Sequence, residues 1–194
     1  MTASAPGAPG EGGRPGARDI PVWDPLVRLI HWSVALAVLL NATVLDPEGR
    51  PHEVAGYAVA GLVAVRLAWG LIGPGPARFA TFPPNPAAAL RHLRHWRAGA
   101  GTVHLSHNPL GALMVYNLWL TLLALVVTGV MMGTIRFFGI QWVEEAHEMA
   151  FDWLMISVAL HVGGVVIDTL RTGVPLVRAM VTGRKRVPAG ARVR

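Results

Sequence analysis

The sequence predicts an all-α membrane protein, a four-transmembrane-helix bundle with both termini cytoplasmic, and three observations carry that expectation. The first is composition: of 194 residues, 53% are hydrophobic and only 14% charged. A soluble domain carries about 25% charged residues. The second is four apolar runs, about 25–45, 52–72, 109–133 and 143–170, each near the ~20 residues that cross a bilayer as a helix. The third is the placement of charge. Fourteen of the 17 Lys and Arg residues lie in the tails, at Arg28 or in the central loop. By the positive-inside rule those segments face the cytoplasm. Arg50 and Arg136 occupy the other loops, and Arg66 sits late in the second run.

That placement also accounts for the formal charge of +6. Orientation and anionic lipid explain the excess, so no nucleic-acid partner is expected. Cysteine is absent, which excludes disulfides, thiolate-held iron–sulfur clusters and covalent attachment of haem through C-x-x-C-H. A redox cofactor would have to be held by other ligands, and histidine is the obvious one.

Residues 1–19, MTASAPGAPGEGGRPGARD, have almost nothing to bury and read as a disordered tail. They lack the apolar stretch of a signal peptide. The domain proper is expected over 20–183. Asp24-Pro25 is an N-cap followed by proline at the first helical position. It opens the first span, which DPEGRP closes as a turn. The second span stops at GPGP, Gly73 to Pro76. In the polar central loop, Asn85-Pro86 starts AAALRHLRHWRA, where Leu90, Leu93 and Trp96 alternate with Arg91, Arg94 and Arg97 as in a short interfacial helix. Asn108-Pro109 repeats the cap signal and opens the third span. The fourth span follows TIRFFGIQW, and residues 184–194 form a basic cytoplasmic tail.

The fourth span carries His147 and His161. Fourteen residues are just under four turns, so the two imidazoles face within roughly 40° of each other and lie about 21 Å apart along the axis. Two more histidines belong to the spans. His31 lies about 10 Å beyond the Asp24 cap, and His161 about 15 Å before Arg171, so the two reach similar depth. His52 begins the second span at the opposite surface, where His147 begins the fourth. The four sort into an inner pair, His31 with His161, and an outer pair, His52 with His147. His92, His95, His104 and His107 fall in the basic loop and read as solvated or interfacial groups.

Polar groups inside hydrocarbon are costly and usually mark function. Two imidazoles on facing helices are what a six-coordinate b-type haem needs, and such an iron suits electron transfer rather than oxygen binding. The competing readings are helix–helix hydrogen bonds and zinc, which rarely binds through two ligands. Gly56, Gly61, Gly129, Gly133, Gly163 and Gly164 would leave flat patches for a planar cofactor, or simply allow close helix packing. Arg28 and Arg66, near the inner surface, are candidates to pair with haem propionates, with snorkelling to lipid phosphate as the alternative.

Several stretches together resemble the bacterial cytochrome b561 family, the small di-haem membrane cytochromes related to the cytochrome b subunits of nickel–iron hydrogenases and formate dehydrogenases. They are VWDPLVRLIHW at 22–32, HEVAGYAVAGLVAVRLAWGLIGP at 52–74, SHNPLGALMV at 106–115, EEAHEMAFDWLMISVALHVGGVV at 144–166 and LVRAMVTGRKR at 176–186. The resemblance implies two haem b groups with axial histidines at His31, His52, His147 and His161. It implies an inner-membrane protein passing electrons between a periplasmic redox protein, such as a c-type cytochrome, and a quinone. HNPLG enters from the cytoplasmic side, which makes Asn108, His107 and Gly111 candidates for a quinone pocket, although Asn108 already serves as an N-cap. A superoxide oxidase that reduces quinone is the alternative activity. The outer loops argue against it, since they hold Arg50 and Arg136 against Asp46, Glu48, Glu144 and Glu145, an unfavourable field for an anion.

Overall fold

The computed structural model describes residues 17–97 and 103–189. Most of the proline-rich N-terminal tail, the last five residues and the side chains of His95, Trp96 and Arg97 lie outside the described residues.

Four long helices form the body: α1 (Pro25–Thr43), α2 (Arg50–Ile72), α4 (Pro109–Met132) and α5 (Gln141–Thr172), with the shorter α3 (Pro86–Arg97) and α6 (Leu176–Thr182) completing the set. The starts obey the cap chemistry. Asp24 Oδ1 accepts from Val27 N at 3.0 Å, Asn85 Oδ1 from Ala88 N at 2.8 Å and Asn108 Oδ1 from Gly111 N at 2.7 Å. Each satisfies one of the orphan N–H groups that a helix start leaves. At 32 residues, α5 runs about 48 Å, longer than the ~30 Å hydrocarbon core, so both of its histidines lie well inside its ends.

The four long helices are all apolar enough to span a membrane, and little of their surface is buried within the protein, from 11 to 22% of each apolar window. Lipid covers the rest. The shared core is a plug of Ile30 and Val34 from α1, Val59 and Val63 from α2, Leu122 from α4 and Leu154 from α5. Leu154 stands midway between His147 and His161, so this plug separates the two histidine levels. A polar clamp sits at similar height: Asn117 Nδ2 donates to the buried Ser157 Oγ at 2.8 Å, and Trp153 Nε1 donates to Asn117 Oδ1 at 3.0 Å. It ties α4 to α5, the two helices most extensively packed together.

One feature departs from the sequence expectation. The segments next to the two termini are paired, β1 (Arg18–Pro21) running antiparallel to β2 (Arg184–Val187) with Arg18 opposite Val187. The sequence reading leaves Arg18 and Asp19 in a disordered tail and 184–187 in a free basic one. Neither RDIP nor RKRV carries the alternation that marks a strand from sequence. They pair because the helix ends bring them together. Lys185 and Val187 turn inward while Arg184 and Arg186 stay exposed. Val187 joins Val103, Val174, Ile20 and Leu176 in a small second core. Gly183 closes α6 at φ 80°, and its carbonyl accepts from Val22 N at 2.8 Å and Trp23 N at 3.1 Å. A side chain there would meet the Trp23 carbonyl at 2.7 Å, so glycine is needed for both conformation and approach. The first and last described segments therefore lie together at one end of the bundle.

Candidate functional site

The four membrane histidines come together in two pairs. His31 of α1 and His161 of α5 have ring centroids 6.4 Å apart, and His52 of α2 and His147 of α5 have them 6.3 Å apart. The pairing expected from depth alone is thus the pairing in space. Each ring is tilted to its partner, by 56° and 69° respectively. These are not hydrogen-bonded contacts. A metal–imidazole bond of about 2 Å, with roughly 1 Å more from nitrogen to ring centre, doubled, leaves two rings about 6 Å apart across one metal ion. Both pairs match that spacing.

The helices carrying each pair leave room between them. α5 packs extensively on α4, α1 on α2 and α2 on α4, whereas α5 has no comparable contact with α1 or α2. The histidines therefore face each other across the two seams that the bundle does not close. A Cβ placed on Gly56, Gly61, Gly163 or Gly164 would meet nothing within 4 Å. The Nδ1 atoms of His31 and His52 are buried with no partner, so both rings hold bonding capacity unspent inside the bundle. Among the described residues no group of three or more His, Cys, Asp or Glu side chains is placed to hold a metal ion. Each seam thus offers two imidazoles and little else, a donor set suited to a planar tetradentate metal group that brings its own equatorial ligands.

Around these pairs the two ends differ. At the end away from the termini, His147 Nδ1 lies 2.8 Å from Thr128 Oγ1 on α4. The neighbouring Gly129 lets α4 come close: a Cβ there would sit 3.4 Å from His147 Cε1. Asp46, Glu48, Glu53, Glu144, Glu145 and Glu148 are all exposed at this end, against Arg50 and Arg136.

At the terminal end positive charge predominates, and two of the cations, Arg66 and Lys185, are buried. Arg66 is 5% exposed; its Nη2 donates to Ala77 O at 3.1 Å, its guanidinium lies 4.8 Å from the Phe79 ring centre, and Nη1 is buried without a partner. Arg28 Nη1 donates to the Val181 carbonyl, and its Nε is likewise buried and unpaired. Both candidate arginines therefore stand near the inner level with donors to spare. Lys185 is 4% exposed and donates to the carbonyls of His104 and Ser106, both at 2.9 Å. Burial pushes its ammonium down to about 8, partly offset by the nearby Asp168 carboxylate.

His107 requires a correction to the solvated-loop reading. Its ring packs between Trp23, at 4.9 Å, and Phe82, at 4.5 Å, and its Nδ1 lies 3.3 Å from Ser106 Oγ. This enclosure holds its pKa down to about 3, with the Lys185 charge, then Arg66 and His161, adding to desolvation. Asn108 and Gly111, the other two quinone candidates, are occupied with each other in the cap of α4. The sequence reading missed Thr128, the Asn117–Ser157 clamp and the buried Lys185. Thr128 had no signal beyond being a polar residue in an apolar run. Lys185 was masked by the arginines around it.

A model of the prokaryotic cytochrome b561 family matches residues 22–183. The chain belongs to that family. It is accordingly a membrane b-type cytochrome that binds haem b and works in electron transfer, a multi-pass protein of the bacterial inner membrane in contact with lipid and redox partners. The matched region begins at the residue after β1 and ends at Gly183, so it takes in all six helices of the cytochrome. Comparison with curated proteins and with solved structures finds no match.

Proposed function

We propose that this cytochrome b561 is a di-haem carrier of electrons across the membrane, between a periplasmic redox partner and the quinone pool. His31 and His161 hold one haem b in the cytoplasmic half, and His52 and His147 hold the other in the periplasmic half. The observation that carries the reading is the pair of ring separations, 6.4 and 6.3 Å, across seams where the helices do not pack directly. Haem bound there would be held by the imidazoles of His31 with His161 and of His52 with His147, and would supply one-electron chemistry.

The chain's own residues supply the rest. The core plug of Ile30, Val34, Val59, Val63, Leu122 and Leu154 excludes water between the two levels. The clamp from Asn117 to Ser157 and Trp153 holds the register of α4 and α5, and with it the depth of both α5 histidines. Arg28 and Arg66, each with a buried unpaired N–H, are the groups to receive propionates at the inner site. At the same end His107, Asn108 and Gly111 are the candidates for a quinone pocket, with Asn108 and Gly111 joined in the cap of α4. The exposed acids Glu144, Glu145 and Glu148 suit a basic docking face, as on a c-type cytochrome. The orientation rests on the Lys and Arg residues gathered at the terminal end.

The test is haem content. Replacing any one of the four histidines by alanine should halve the haem b bound per chain and leave the remaining absorbance reducible. Retention of full haem by all four variants overturns the assignment.

A further inference from the structure

Thr128 makes three close approaches: its Oγ1 is 2.8 Å from the Ala124 carbonyl, 3.2 Å from the Leu125 carbonyl and 2.8 Å from His147 Nδ1. A hydroxyl has one proton to donate, and a carbonyl can only accept. The shorter carbonyl contact therefore takes the threonine proton, one turn back along α4. What remains at Oγ1 is a lone pair aimed at His147. For that contact to be a hydrogen bond, the proton must be on Nδ1 of the imidazole. His147 is thereby set in the Nδ1–H tautomer, with the lone pair on Nε2 free to bind a metal.

Among the described residues, the Nδ1 atoms of the other ligand candidates on α1 and α2 have no such support. The Nδ1 atoms of His31 and His52 are buried and unpartnered. At the neighbouring Gly129 a Cβ would sit 3.4 Å from His147 Cε1, so the ring lies against the α4 backbone. Thr128 and Gly129 together form a seat on α4 for a ring carried by α5. Donation from Nδ1–H to an oxygen raises the electron density of the imidazole, which favours the oxidised state of a metal bound at Nε2.

We propose that Thr128 is a positioning residue for the outer site, orienting His147, fixing its tautomer and holding the potential of the outer haem below the value that bare imidazole ligation would set. The inference rests on the assignment of His52 and His147 to one haem, and it adds a residue that acts through His147. The Ala124 carbonyl completes the device by committing the threonine proton elsewhere.

The experiment is a spectroscopic redox titration of the purified holoprotein and of Thr128→Val and Thr128→Ser. Valine keeps the branched shape and removes the acceptor; serine keeps the acceptor. With valine, one of two midpoint potentials should rise while the other stays in place, or the outer haem alone should be lost. Serine should retain two haems at wild-type potentials. Potentials unchanged by valine, an equal shift of both, or the same shift in both variants would overturn the role of the hydroxyl. Failure of the underlying site assignment is distinguishable, because His147→Ala would then retain two haems.

Discussion

The two histidine pairs are alike in spacing and unlike in their surroundings. Both hold ring centres 6.3 to 6.4 Å apart across an open seam beside α5. The outer pair is supported from a neighbouring helix by a neutral hydroxyl and looks out on exposed carboxylates. The inner pair lies toward the end that holds the buried cations Arg66 and Lys185 and the half-buried Arg28, beneath the lid of β1, β2 and α6. Positive charge stabilises a reduced centre and negative charge an oxidised one, more strongly where water is excluded. The protein thus repeats one arrangement of facing imidazoles at two levels of the bundle and differentiates the copies through their surroundings.

The largest effect that can break this comparison is loss of cofactor in double variants. If the pairs are as assigned, His31→Ala combined with His161→Ala should cost no more haem than either alone, because both destroy one site. His31→Ala combined with His147→Ala should remove all of it. Haem measured against protein decides between these outcomes, and equal losses in the two combinations would break the pairing.

Next in size is the anchoring of the lid. Lys185 is the inward-facing charge of β2, held by two carbonyls and close to Asp168. Removing the ammonium leaves two part-buried carbonyls without their donor, at about 1–3 kcal/mol for each group left unsatisfied, and the nearby Asp168 carboxylate without its countercharge. Lys185→Met should speed hydrogen exchange at 18–21 and 184–187, and adding Asp168→Asn should recover part of the protection. Unchanged exchange in the single variant would mean that the lid does not depend on the pair.

A smaller effect comes with pH, again at the terminal end. His107 sits at about 3 in the folded protein and near 6.5 when unfolded. Between those values the unfolded chain binds the extra proton, so stability falls as pH drops from about 6.5 towards 3. The full contribution is present above that window. The loss should amount to at most a few kcal/mol and should appear as faster exchange around 103–107 before the outer end responds. His107→Gln should flatten the profile.

Much of this was legible in the sequence for physical reasons. Long apolar runs have few alternatives, and histidine within them is costly enough to be conspicuous, so the four spans and the two pairs followed from length and depth. The caps at Asp24, Asn85 and Asn108 were readable because their chemistry is local. The lid was not readable, since RDIP and RKRV are too short and too charged to declare a strand. Lys185 looked like its exposed neighbours Arg184 and Arg186, and only the register of β2 turns it inward. Thr128 could not be recognised because a threonine in a membrane helix ordinarily bonds back to its own helix. Thr128 does that too, and its second role depends on a ring 19 residues away.

On the proposed assignment one helix, α5, serves two haems. The ratio of haem b to polypeptide in the purified protein, taken with its redox titration, tests this most directly. Two haem b groups per chain, resolved as two one-electron transitions, are expected. A single haem per chain with one transition would contradict the assignment.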